Sequence, residues 1–217
     1  MAAISGKVSR IRVTSAAATN STNEAATLST DGVTLSIDST AKRHWDRTST
    51  MPSVFVSGAT GSVNTDAKSI NHVQGVVTFS TPHSTAATYT VDVDYLTSSY
   101  LAGGRNWSLD VNSNMIDVTA FSTSATDPKW RTYLPGLSDA EVSIERFYGA
   151  NSTAFPFWDA LNAPSSNLIV ELVPDNSAGE RYEGFARVAG FSPSVEIDGT
   201  ADEGVTLQVD GTLYYTT

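Results

Sequence analysis

Between Leu137 and Tyr215 the apolar residues fall at alternate positions in run after run, and a period of two fits strands and not helices. Ala140–Tyr148 (AEVSIERFY) sets Val142 and Ile144 on one face against Glu141, Ser143 and Glu145 on the other. Tyr182–Val188 alternates in the same way. Val195, Ile197, Val205, Leu207 and Val209 then stand opposite Glu196, Thr206, Gln208 and Asp210. Leu168–Val173 (LIVELV) is almost continuously apolar, as in a strand covered on both faces. Turn-forming residues part the runs: Pro174-Asp175-Asn176, Gly190, Asp198-Gly199 and Asp210-Gly211. The expectation is an antiparallel meander with one face buried and one polar face spare.

The rest of the chain continues the pattern less regularly. Lys7–Val13 reads as a first strand. Residues 15–23 (SAAATNSTN) are small and polar and read as a loop. Ala26–Thr30 and Val33–Ile37 flank Asp31-Gly32, a strong short hairpin signal. Lys42–Arg47 (KRHWDR) is the one basic cluster: a solvated turn anchored by Trp45, or a contact for an acidic neighbouring subunit. Residues 57–69 read as a long exposed loop needed for stacking, and both this loop and residues 15–23 are expected to be mobile in a free subunit. Val73–Phe79 and Thr88–Leu96 are expected to form a hairpin. Gly103-Gly104 reads as a hinge before strands at Asn106–Val111 and Met115–Phe121. Asn151–Asn162 is the one helix, with Ser152 or Thr153 as cap, Pro156 in its first turn and an apolar stripe of Phe157, Trp158 and Leu161. Such a chain is all-β and mainly antiparallel, a β-sandwich or incomplete barrel with one short flanking α-helix.

Composition narrows the function. A chain of 217 residues can bury roughly 70% of its unfolded surface without staples. With 0 Cys, a disulfide framework and cysteine-based metal or redox chemistry are excluded. The N-terminus lacks the apolar run of a secretory signal, and no window approaches the ~18 apolar residues of a membrane helix. The expectation is synthesis in the cytosol, with no membrane partner. The sequons at Asn20, Asn106 and Asn151 are then chance matches in a Ser/Thr-rich chain. The net charge of −10 is uneven: 8 Lys/Arg and 7 Asp/Glu up to Asn106, but 5 and 16 from Trp107 onward. An acidic second half repels nucleic-acid phosphates, so ordinary DNA binding is not expected.

No constellation with catalytic spacing emerges. His44, His72 and His83 lie in no metal-binding spacing. A Ser-His-Asp arrangement needs no fixed order, but there is no G-x-S-x-G turn. Gly58–Ser62 lacks the Lys-Ser/Thr of a phosphate loop. Asp92 and Asp94 share a strand face and could suit a hard cation, yet no third donor accompanies them, and a solvated face is the simpler reading. No catalytic residue, cofactor or metal is expected, and the chain reads as a non-enzyme.

The order of motifs resembles a known family. KRHWD at Lys42–Asp46, VQGVVTF at Val73–Phe79, GRNWSLDV at Gly104–Val111, IDVTAF at Ile116–Phe121, LSDAEVSIERF at Leu137–Phe147 and the ending Tyr182–Gly211 together resemble major tail proteins, the tail tube subunits of long-tailed bacteriophages and related tail-like particles. The resemblance spans the chain in order and is densest after Trp107. It implies one tail-tube-like domain over residues 1–217, with residues 1–100 including an inserted or appended β unit.

It further implies a structural virion protein, made in the host cytoplasm and located in the virion tail. Copies would form stacked, hexameric rings whose inner strands line a channel for DNA. Partners would be further copies and the tape measure, tail-tip and terminator proteins. An acidic lining would let DNA pass without adhering. Glu141, Glu145, Glu183, Asp198 and Asp210 are the candidates for the lumen. Two other classes compete: a decoration, tail-tip or host-binding β-sandwich, which would bind glycans or cells as a monomer, and a β-sandwich hydrolase, which would need His44, His72 or His83.

Overall fold

A computed structural model describes residues 9–50, 52–56, 66–101, 103–119, 131–147, 157, 161, 168–175, 179–195 and 199–217. The fold is all-β. Its strands are β1 (Arg10–Leu28), β2 (Thr34–Ile37), β3 (Ser53–Val56), β4 (Ala67–Asn71), β5 (Val76–Phe79), β6 (Tyr89–Tyr100), β7 (Gly104–Asp117), β8 (Tyr133–Phe147), β9 (Leu168–Val173), β10 (Arg181–Val195), β11 (Ala201–Val209) and β12 (Tyr214–Thr216), with a 3-10 turn at Thr40–Lys42. They join into one antiparallel sheet that is not closed into a barrel. Its main path runs β4-β5-β2-β1-β9-β10-β11-β8-β7, with β12 on β10, and β6 between β1 and β3.

The second half follows the alternation with one change of order. β9, β10 and β11 are neighbours in sequence order, but β8 pairs with β11 rather than β9. The free edge of β9 goes instead to Arg10–Val13 of β1. The expected meander is therefore interrupted, because β9 is apolar except for Glu171 and needs cover on both edges as well as both faces. All six of its residues are buried. One side of this sheet forms the first core: Ile11, Val13, Val142, Ile144, Leu168, Val170, Leu172, Val188, Val205 and Leu207. Trp107 and Leu109 of β7 pack on it, and the Trp107 indole donates to Ser9 Oγ at 2.7 Å. The sheet thus curls until its end approaches the start of β1. Burying each of these aliphatic side chains contributes about 1.5–3 kcal/mol.

The first half builds a second core from Ala26, Leu35, Ile37, Trp45, Val54, Val77, Phe79, Tyr89, Val91 and Val93. The hairpin at Asp31-Gly32 forms as expected, with Ala26 opposite Ile37 and Leu28 opposite Leu35. Gly32 takes φ +73°, the left-handed value such a turn needs. β1 belongs to both cores.

Several expectations are corrected. Residues 15–23 are not a loop but the middle of β1, laid along β6. Their polarity is that of an exposed strand, and register breaks between Thr14 and Ala18 and between Ser21 and Glu24 absorb the irregularity. Asn23 stands at φ 57° in the second break, and its amide donates to Asp92 at 2.7 Å. Asp94 accepts from Asn20 Nδ2 at 2.8 Å and from Ser49 Oγ at 2.5 Å. Asp92 and Asp94 therefore serve β1 and its surroundings and do not converge on an ion. Val73–Phe79 does not pair with Thr88–Leu96, since β5 is held by β2 and β4 and β6 by β1 and β3. The two strands expected between Asn106 and Phe121 are one strand, β7. Of residues 57–69, positions 57–65 lie outside the described residues, and Ala67–Ser69 belong to β4. The expected helix Asn151–Asn162 also lies outside them except at Phe157 and Leu161. Phe157 is buried in the first core, beneath the Arg146 guanidinium at 5.2 Å.

Candidate functional site

The face of the second-half sheet opposite the first core divides in two. Over β7, β8 and β11 it is polar and open. Asp110, Glu141 and Gln208 lie in register across the three strands, followed by Ser108, Ser143 and Thr206, and then Asn106, Glu145 and Gly204. Glu141 and Glu145 are exposed. Over β9 and β10 the same face is covered by the first half. Val73 and Leu96 pack there on Ile169 and Phe185 in a small third core.

β7 and β8 outrun their neighbours. They stay paired from Gly104–Arg146 to Asp117–Tyr133, whereas the β8–β11 ladder ends at Glu141–Gln208. Beyond that point a two-stranded ribbon projects, roughly 20 Å long at ~3.3 Å per residue. It exposes Val111, Met115, Ile116, Val118, Tyr133, Leu134 and Leu137, the last of them 85% exposed. At its far end Thr119 donates through N and Oγ1 to Asp117 and holds that carboxyl below its usual range. The outer edge of β7 has no strand beside it among the described residues. A two-stranded hairpin is marginal in water, and contiguous exposed apolar surface marks a contact.

A buried ion cluster lies under the covered part of the face. Arg43 Nη2 stands 2.7 Å from Glu183 and 3.2 Å from Glu171. Arg12 approaches Glu171 at 3.6 Å, and Arg181 approaches Glu183 at 3.5 Å. Gln74 Nε2 donates to Glu183 at 3.4 Å and to Thr216 Oγ1 at 3.1 Å. Burial works to raise the Glu183 pKa, but the His44 imidazole and the Arg43 and Arg181 charges outweigh it and hold the carboxyl below its ordinary value. His44, Glu171 and Glu183 bring one ligand atom each within 4.8 Å of one another, a donor set a metal could use. Arg43 already occupies the space between the carboxylates, so a divalent cation would have to displace a guanidinium that is itself paired. The geometry is that of an internal ion network.

The lumen candidates separate accordingly. Glu141 and Glu145 stay on the open face. Glu183 is 0% exposed, because the first half covers β10 where alternation alone placed it toward solvent. Asp210 pairs with Arg47 Nη2 at 2.5 Å and Arg187 Nε at 2.8 Å. Asp198 lies outside the described residues. The basic cluster meets acids of its own chain: Lys42 on Glu24, Arg43 on Glu171 and Glu183, and Arg47 on Asp210. Trp45 is buried as its anchor. The three histidines serve different surroundings: His44 the ion cluster, His72 edge-on to Trp45, and His83 against Phe79 with Asp66 at 3.6 Å.

No protein-family model matches the chain, and no curated protein matches it. Solved structures do show similarity. The virion of a native gene transfer agent particle aligns with a TM-score of 0.47 and 17% identity, over 55% of this chain and 89% of that one. The tail of an empty gene transfer agent particle with C6 symmetry gives 0.48 and 16%, over 56% and 87%. The SPP1 tail tube gives 0.44 and 11%, over 55% and 67%. Tails and a tail tube are thus among the structures it is similar to.

Proposed function

We propose that this chain is a tail-tube subunit, a non-enzymatic structural protein of a virion whose copies form stacked, six-membered rings around a channel for DNA. The observation that carries the reading is the β7–β8 ribbon. It presents an edge with no strand beside it among the described residues and a row of large apolar side chains that a lone subunit leaves in water. A second copy of the chain can cover both, since ring closure consumes open edges that would otherwise aggregate. The open polar face supports the same reading: Asp110, Glu141 and Glu145 would border the channel and deny DNA phosphates favourable contacts. In this reading the tape measure, tail-tip and terminator proteins are its further partners.

Negative-stain microscopy with light scattering tests the proposal. Wild-type protein is expected to form rings or tubes as concentration rises. The Leu134→Asp/Leu137→Asp variant should stay monomeric with its unfolding midpoint nearly unchanged, because exposed substitutions usually move stability by no more than about 0.5 kcal/mol. A wild-type protein that remains monomeric at every concentration overturns the reading. A variant that assembles as well as wild type removes the ribbon from it.

A further inference from the structure

The two large cores share no residue. β1 connects them along the chain, and it loses register with β6 between Thr14 and Ala18 and again between Ser21 and Glu24, on the stretch that passes from one core to the other. A strand broken twice is a weak coupler. The other links between the halves converge on one place. Arg43 reaches Glu171 on β9 and Glu183 on β10, Gln74 reaches Glu183 and Thr216 on β12, and Arg47 lies over the Phe185 ring at 4.5 Å. Val73 and Leu96 add the small apolar cluster beside them.

We propose that the Arg43–Glu171–Glu183 network is a clasp that makes the two cores unfold as one unit, and that acid opens it. The groups facing the carboxylates are Arg12 from β1, Arg43 and His44 from the turn before β3, and Arg181 from β10, with Gln74 and Thr216 completing the contacts. Ionised, the carboxylates hold Arg43, and with it the first-half core, against the second half. Protonated, Glu183 releases a buried cation, and the halves are left with the irregular β1, the β6 end at Leu101, the small apolar cluster and the lesser contacts of Arg47 with Asp210 and of Gln74 with Thr216. The depressed pKa of Glu183 sets the sign: the link is intact above the ordinary carboxylate pKa of ~4.3 and is lost as pH falls below it.

Hydrogen exchange of the full chain along a urea series, resolved by peptide, tests this with the unassembled subunit. At pH 7, peptides from β2 and β5 and peptides from β8 and β11 should lose protection at the same urea concentration. At about pH 3 the first-half peptides should open at distinctly lower urea. Arg43→Met should separate them already at pH 7, and Glu183→Gln supplies a milder break if Arg43→Met does not fold. The Arg43→Met/Glu171→Leu/Glu183→Leu variant should unfold in one step at both pH values, because an apolar replacement can match a buried ion pair and Arg12 and Arg181 can turn to water. Coincident loss in wild type at pH 3 and in the folded single variant at pH 7 overturns the proposal, as does separation in the triple variant.

Discussion

Glu171 of β9 and Glu183 of β10 stand directly opposite one another in the ladder, both buried. Like charges in that position destabilise a strand pair. The Arg43 guanidinium, brought in by the turn after Thr40–Lys42, bridges them. Without it, two carboxylates are left in a low-dielectric site with Arg12 and Arg181 only at longer range. Arg43→Ala is therefore expected to cost about 3–5 kcal/mol in urea unfolding at pH 7. A loss below about 1 kcal/mol would show that water or the outer arginines already neutralise the pair.

Acid sensitivity should come in two stages. His72 is held below its ordinary pKa by burial, opposed by Asp46 and reinforced by Arg47. Its unfolded form binds the proton more readily, so stability begins to fall as pH drops below ~6.5. Asp210, held low by Arg47 and Arg187, and Asp94, held low by Ser49 and Asn20, join Glu183 in the second stage. These groups favour the folded state above the ordinary carboxylate range and lose that contribution as pH falls below ~4. Unfolding free energies measured from pH 8 to pH 3 should show His72→Phe flattening the slope that sets in below about pH 6.5, and Asp210→Asn flattening the one that sets in below about pH 4. Unaltered slopes in both variants would contradict this assignment.

Gly75 connects a backbone requirement to the ion cluster. It stands at φ +68°, and a Cβ there would lie 2.9 Å from Arg43 Cα and 2.7 Å from Ile37 Cγ2. Gly75→Ala therefore meets both left-handed strain and the main chain that carries Arg43. Its expected cost exceeds 1 kcal/mol, and the Glu183 environment should shift with it. Gly179, also at positive φ but with nothing within 4 Å of its Cβ position, is the control: Gly179→Ala should cost less and leave the cluster unchanged. Carboxyl carbon shifts of Glu183 in both variants provide the check.

The sequence reveals this molecule where local patterning decides, and misleads where a distant segment intervenes. Alternation places Val142, Ile144, Val205 and Leu207 in the core because every residue on that face meets the same apolar layer. The same alternation puts Glu183 in solvent, since nothing local tells that Arg43 and Gln74 cover β10. Two signals did point there. A glutamate inside LIVELV is a charge that must be buried with a partner, and KRHWD is the one basic cluster available to supply it. Residues 15–23 misled for a different reason: small polar residues suit a loop, but β6 offers them a ladder and leaves the side chains from Ala17 to Asn20 exposed. Of the β7–β8 ribbon only the β7 arm was legible as strands; the expected β8 strand began at Ala140, short of residues 133–139, and the ribbon's exposure was not legible, because period-two patterning does not show where a neighbouring ladder stops.

If the chain is a tail-tube subunit, its open polar face borders the DNA channel. Glu141 lies between Asp110 and Gln208 in register, and Glu145 lies two positions along the same face, so both belong to one exposed polar surface. Neither has an ion-pair partner close enough to be recorded among the described residues, in contrast to Asp210. Glu141→Lys/Glu145→Lys should therefore leave the apolar core and the ribbon intact, with unfolding shifted by less than about 1 kcal/mol and tubes still forming. Within such tubes each subunit would turn two repulsive charges into two attractive ones. DNA should then be retained at low salt and released as salt rises, the signature of phosphate contacts. Wild-type tubes should retain none under the same conditions. Equal DNA retention by wild-type and variant tubes would place this face outside the channel, and failure of the variant to assemble while remaining folded would make it a subunit contact instead.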